Sequence, residues 1–164
     1  MWLLTKEIQP GERRWIVGPT YRSLKSTTWP ILRAIMRQYE GAVINESELS
    51  IRLPNDSEIA LKGSEQENNL RGAGLDMVVM EEFSYIKPHV YEEIIYPMLT
   101  TTQGEALFIG TPNSFDHLYD YYLRGQTDSD WKSWQFTTEQ GGFVPRDEIE
   151  KAKATMDENT YKTE

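Results

Sequence analysis

The sequence predicts an α/β domain built on a mostly parallel sheet, with an antiparallel hairpin inserted into it. Three observations carry that expectation. Two short apolar runs, Met77-Val78-Val79-Met80 and Ala106-Leu107-Phe108-Ile109, have the length and continuity of strands buried on both faces. Stretches of helical periodicity alternate with such runs, as the crossovers of a parallel sheet require. Leu49, Ile51 and Leu53 alternate with polar residues, Pro54-Asn55-Asp56-Ser57 supplies a turn, and Ile59 and Leu61 resume the alternation.

In chain order, Met1 to Ile8 has the apolar spacing of the tail of an amphipathic helix, stopped by Pro10-Gly11. Arg13 to Val17 reads as a strand closed by Gly18-Pro19. From Tyr21 to Tyr39 the pattern is helical, with Leu24, Trp29, Ile31, Leu32, Ile35 and Met36 as one stripe; Pro30 is expected to kink or divide this helix near Thr28. The hairpin follows, and then a polar loop, Ser64 to Asn69, leads through Leu70-Arg71-Gly72-Ala73-Gly74 into the Met77–Met80 strand. Pro88 begins a helix with Val90, Ile94, Ile95 and Met98 on its buried side, proline being tolerated in a first turn. Ala106 to Ile109 is a second buried strand. Phe115 to Leu123 is again helical, Trp131 to Thr137 alternates as a strand, and Pro145 to Met156 forms a charged helix. Asp157 to Glu164 reads as the start of a further helix.

At 164 residues the chain can bury a core, and 38% hydrophobic residues with 12% aromatics exclude a disordered chain. No apolar run approaches the roughly 20 residues of a membrane-spanning helix. With no cysteine, thiolate metal sites and disulfides are excluded; His89 and His117 are too few for a zinc cluster. A net charge of −9 argues against autonomous, sequence-independent DNA binding. Arg13, Arg14, Arg22, Lys25, Arg33 and Arg37 nevertheless make the first 40 residues basic, either a solvated face or one turned to a phosphate-bearing partner.

The chemistry is expected where central strands end, because ligands of open α/β sheets gather at the carboxyl ends of the strands. Three loops leave such ends: Gly18-Pro19-Thr20-Tyr21, Glu81-Glu82 and Gly110-Thr111-Pro112-Asn113. Two adjacent carboxylates can divide the work of nucleotide hydrolysis, one holding a Mg²⁺ shell and the other orienting or deprotonating the attacking water. Thr111 could hydrogen-bond a γ-phosphate or that water, or serve simply as a turn hydroxyl before proline. Arg71, on a glycine-rich loop, suits a charge-stabilising finger for phosphoryl transfer, or an ion pair with Glu65 or Glu67. No Gly-x-x-x-x-Gly-Lys-Ser/Thr occurs, which argues against a self-contained ATPase.

The ordered set Trp15-Ile16-Val17-Gly18-Pro19-Thr20-Tyr21, Leu53-Pro54-Asn55 with Leu61-Lys62-Gly63, Asn69-Leu70-Arg71-Gly72, Val78-Val79-Met80-Glu81-Glu82 and Phe108-Ile109-Gly110-Thr111-Pro112 resembles the ATPase domain of large terminase subunits, the DNA-packaging motors of tailed bacteriophages. The resemblance runs over residues 12–164. It implies a P-loop NTPase-like three-layer α/β sandwich, with ATP and Mg²⁺ as cofactors. Glu81 matches the Walker B acid that holds Mg²⁺, through water, although aspartate is usual there. Glu82 matches the catalytic glutamate, Thr111 lies in the coupling motif, and Arg71 matches the candidate arginine finger acting in trans. Implied partners are double-stranded DNA through an assembled homo-oligomeric ring, a portal protein and a small terminase subunit, with no membrane. The implied location is the host cytoplasm, transiently on the procapsid portal. The resemblance also implies that the Walker A segment belongs ahead of Met1 and a nuclease domain beyond the chain. Residues 1–11 are then the tail of the helix after the phosphate loop, 12–139 the sheet core and 140–164 a C-terminal helical segment, the whole 1–164 a partial ATPase domain from a truncated or split gene.

Three other readings remain open on the sequence. One is a helicase-like translocase fragment, against which the inserted hairpin and the Gly-Thr-Pro loop count. Another is a non-hydrolytic interaction module of a packaging complex. The last is a metal nuclease using Asp76, Glu81 and Glu82, disfavoured because nuclease carboxylates usually come from several separate elements.

Overall fold

The computed structural model describes residues 2–72, 74–111 and 115–156. The chain divides into two compact units, Met1–Gly110 and Thr111–Glu164.

In the first unit, the described strands form one six-stranded sheet in the order β2-β3-β4-β1-β5-β6. These are β1 (Arg13–Gly18), β2 (Val43–Asn45), β3 (Ser50–Arg52), β4 (Glu58–Gly63), β5 (Met77–Glu81) and β6 (Glu105–Ile109). β1 runs parallel to both β4 and β5, and β5 runs parallel to β6, while β3 runs antiparallel to both its neighbours, β2 and β4. The architecture is therefore the expected mixed α/β one, with its hairpin. β2 is an addition, a three-residue edge strand too short and too exposed to leave a periodic signal.

Strand register sorts the side chains into two layers. Ile16, Leu61 and Val79 share one face and join Leu24, Trp29, Leu32 and Met36 in the core under α1 (Tyr21–Ser26) and α2 (Thr28–Met36). On the opposite face Val17 pairs with Met80 and Met80 with Phe108, whose ring meets Phe83 at 4.6 Å and Tyr91 at 4.7 Å. The sheet thus carries helical layers on both faces, the three-layer sandwich expected of a P-loop-like fold.

Thr27 divides the predicted Tyr21–Tyr39 helix, closing α1 and opening α2, so Pro30 falls in a first turn where its missing N–H costs little. The predicted stripe needs correction. Trp29, Leu32 and Met36 are buried, but Ile31 and Ile35 are 58% and 41% exposed. At about 100° per residue they fall on the far side of α2 from Trp29, so apolar composition overstated the buried face. The helix after Pro88 begins as a π-helical segment, Val90–Ile95, and continues as α3 (Tyr96–Thr102). Tyr96 donates to the carbonyl five residues back, at Tyr91. Pro97 explains the widened turn, since its ring would crowd the carbonyl four residues earlier and it has no N–H to offer. All four predicted contact residues, Val90, Ile94, Ile95 and Met98, are buried.

β6 forms where expected, but at the sheet edge rather than buried: Glu105 and Ile109 are exposed and the residues between them half-buried. At the amino end, the expected helical tail over Met1 to Ile8 is a short 3-10 turn, Trp2–Leu4, followed by a turn and irregular chain; Met1 lies outside the described residues. The cause is Arg14. Its guanidinium, 1% exposed, donates to the carbonyls of Leu3, Lys6 (3.1 Å) and Glu7 (2.7 Å) and to the Glu12 carboxylate (2.9 Å). These carbonyls converge on the cation from a chain folded around it rather than pointing along one helix axis. Arg14 is accordingly no part of a solvated basic face.

The second unit contains α4 (His117–Thr127), α5 (Thr138–Gly141) and α6 (Arg146–Thr155). Asp116 caps α4, accepting from the N–H groups of Leu118 and Tyr119 at 3.0 and 3.2 Å. The predicted strand Trp131 to Thr137 is irregular instead. No described strand lies in this unit to pair with it; Trp131 packs on α4, under the Arg124 guanidinium and 5.4 Å from the Tyr121 ring. The further helix expected over Asp157 to Glu164 lies outside the described residues.

Candidate functional site

β1, β5 and β6 are parallel neighbours, so Gly18, Glu81 and Gly110 all leave the same edge of the sheet. Glu81 is the last residue of β5 and sits opposite Ile109 of β6. Its carboxylate is half-buried and accepts from the Thr28 hydroxyl, which stands 2.8 Å from one oxygen and 2.7 Å from the other. Sequence reasoning missed Thr28. It is separated from Glu81 by 53 residues, and a threonine in a helical stretch carries no signal of its own.

Glu82 follows in the left-handed region, at φ 52° and ψ 48°, and is exposed. Strand-ending residues need no such backbone, and a glutamate there is held against its preference by the strand before it and the 3-10 turn Phe83–Tyr85 after it. The two carboxylates therefore differ in kind: Glu81 is anchored to a helix, and Glu82 stands clear of the sheet edge.

Arg71 follows the 3-10 turn Glu67–Leu70, is exposed, and makes no ion pair with any described residue. Neither pairing expected for it forms. Glu65 accepts instead from the backbone N–H of Tyr21 at 2.8 Å, and Glu67 is taken by His89 Nε2 at 3.1 Å and Lys87 Nζ at 3.7 Å. The His89 hydrogen bond, with the His89 and Lys87 charges behind it, holds the Glu67 carboxyl below its ordinary value. That clasp ties the base of the Arg71 loop to the segment just beyond Glu82. Thr111 is the first residue of the second unit; Pro112 and Asn113 of its loop lie outside the described residues. Asp76 sits at the opposite end of β5 from Glu81, where it accepts from the Arg13 N–H at 2.8 Å. A nuclease triad of Asp76, Glu81 and Glu82 is thereby ruled out.

Among the described residues no group of three or more His, Asp or Glu could cage a metal ion. One anchored carboxylate at a strand tip suits instead an ion held mainly by water and phosphate oxygens, as Mg²⁺ commonly is. No described helix is long and apolar enough to cross a membrane.

No family model matches the chain. Curated relatives do. The terminase large subunit of Thermus phage G20c is 28% identical over 136 residues, covering 71% of this chain and 28% of the relative. That of Escherichia phage T5 is 25% identical over 165 residues, covering 97% of this chain and 37% of the relative. The chain thus spans about a third of the length of these relatives. Among solved structures, the large terminase ATPase domain of Thermus phage P74-26 superposes with a TM-score of 0.80 at 22% identity, over 94% of this chain and 75% of that one. The large terminase of another thermophilic bacteriophage, in complex with ADP, gives a TM-score of 0.75 at 13% identity, over 98% of this chain and 40% of that one. The chain is thus similar in sequence to phage terminase large subunits over about a third of their length, and it has the fold of a large terminase ATPase domain.

Proposed function

We propose that the chain forms part of the ATPase motor of a terminase large subunit, coupling ATP hydrolysis to the packaging of double-stranded DNA into a procapsid. The observation that carries this reading is the pair at the tip of β5, one carboxylate anchored and one exposed on a left-handed backbone, between two parallel neighbours. Glu81 would hold Mg²⁺, which when bound would supply positive charge against the nucleotide phosphates. Glu82 orients the attacking water and takes its proton. Arg71, exposed on its glycine-flanked loop, reaches the phosphates of a neighbouring subunit in a homo-oligomeric ring, and Thr111 relays the nucleotide state to the segment after it. The thermophilic-phage terminase solved with ADP, and again with ATP-γ-S, supports nucleotide as the ligand. Portal protein and small terminase subunit are the partners this reading assigns, in the host cytoplasm.

The test is site-resolved. Mn²⁺ with ATP, added sparingly to the isotope-labelled chain, should broaden the amide signals of Met80 to Phe83 before any others. Glu81→Gln should remove that focus. Broadening spread evenly over the acidic surface, or unchanged by Glu81→Gln, would refute the assignment.

A further inference from the structure

The contact between Thr28 and Glu81 has an unusual shape. One hydroxyl oxygen lies almost equally far from both carboxylate oxygens, 2.8 and 2.7 Å, and so sits in the plane that bisects the carboxylate, on the side the two oxygens face. That position is where a cation chelated by both oxygens of a carboxylate must lie, at about 2.3–2.6 Å for Ca²⁺. Hydroxyl and ion cannot share it.

Both ends of the contact are fixed. Thr28 is 8% exposed and opens α2, whose Trp29, Leu32 and Met36 are buried. The Trp29 indole donates to Glu46 at 2.7 Å and Arg33 donates to the same carboxylate at 3.0 Å, holding α2 to the segment after β2. β-branching further restricts the Thr28 side chain. Glu81 is held by the pairing of β5 with β6. A cation therefore meets a carboxylate whose chelating position is already filled, and whose remaining lone pairs point outward, one oxygen at a time.

We propose that Thr28 determines which divalent ion Glu81 accepts: its hydroxyl closes the two-oxygen position and selects Mg²⁺ over Ca²⁺. Mg²⁺ keeps most of its water and needs one oxygen or a water-mediated contact, whereas Ca²⁺ gains from two-oxygen carboxylates and from a larger ligand number. Thr28 acts through Glu81 and is a positioning residue. The inference rests on the reading of Glu81 as the ion-holding acid.

The experiment uses the same Mn²⁺ and ATP broadening at the tip of β5, reversed by titrating Mg²⁺ or Ca²⁺. The readout is the ratio of Ca²⁺ to Mg²⁺ needed for reversal. Thr28→Val and Thr28→Ala should each lower that ratio by about tenfold, because the vacated position admits two-oxygen chelation. Thr28→Ser, which keeps the hydroxyl, should match the unsubstituted chain. The alanine variant decides the matter if valine prevents folding. A ratio unchanged in the hydroxyl-free variants, or loss of the ion from them, overturns the proposal while leaving Glu81 as ligand. Broadening that survives Glu81→Gln overturns the reading beneath it instead.

Discussion

Replacing Glu82 with glycine should make the protein more stable while removing its exposed carboxylate. Glu82 stands at φ 52° and ψ 48°, with no side-chain cap bond to offset the conformation. An L residue in that region costs about 1–2 kcal/mol against its right-handed alternative, and glycine does not incur it. Glycine also gains freedom in the unfolded chain, which subtracts about 0.4–1 kcal/mol. The net expectation for Glu82→Gly is a gain of about 0.5–1 kcal/mol, read as a rise in the urea midpoint at unchanged slope. Two controls separate backbone from charge. Glu82→Ala keeps the Cβ and should stay within about 0.5 kcal/mol of the parent. Gln103, exposed at φ 57° where it closes α3, has the same backbone and no carboxylate, so Gln103→Gly should gain by a similar amount. If Glu82→Ala stabilises as much as Glu82→Gly, repulsion from Glu81 rather than backbone strain is the source, and the reasoning fails. A loss of stability in both glycine variants would refute it equally.

Arg14→Lys should cost about 2–4 kcal/mol in urea unfolding, because an ammonium cannot serve three carbonyls and a carboxylate at once, and residues 2–8 should become the first point of protease cleavage; a loss below about 1 kcal/mol would deny Arg14 its anchoring part. Leu32→Ala, at a fully buried site, should cost about 2–5 kcal/mol, whereas Ile31→Ala next to it should cost less than about 0.5 kcal/mol; equal losses would contradict the assigned face of α2. Glu67 has its carboxyl lowered from an ordinary value of 4.5, so the ionised carboxylate that accepts from His89 is present above that value and is lost as pH falls through the lowered one. The amide shifts of Leu70 and Arg71 should follow that transition below pH 4.5 and show none in Glu67→Gln; a midpoint above 4.5 would reverse the sign of the argument.

Much of this molecule is local, and local features are legible in a sequence. The apolar runs at Met77–Met80 and Ala106–Ile109, the alternation on either side of Pro54–Ser57 and the break before Pro30 each depend on neighbours within a few residues, and each became the predicted element. The adjacency of Glu81 and Glu82 at a strand end was equally visible, since a strand that stops being apolar announces its tip. Tertiary structure decided the rest, because long-range partners leave no trace in periodicity. Strand order put β6 on the sheet edge. A burial pattern cannot show which of two apolar helix faces will be covered, so Ile31 and Ile35 remained exposed. Trp131 to Thr137 alternates like a strand but has no partner strand in its described unit, and hydrogen-bond pairing rather than alternation makes a strand. Arg14 looked like surface charge until three carbonyls and Glu12 closed around it. The Thr28 hydroxyl reached Glu81 only because β1 and β5 lie side by side with α2 packed on one face, a proximity that residue types and spacing do not encode.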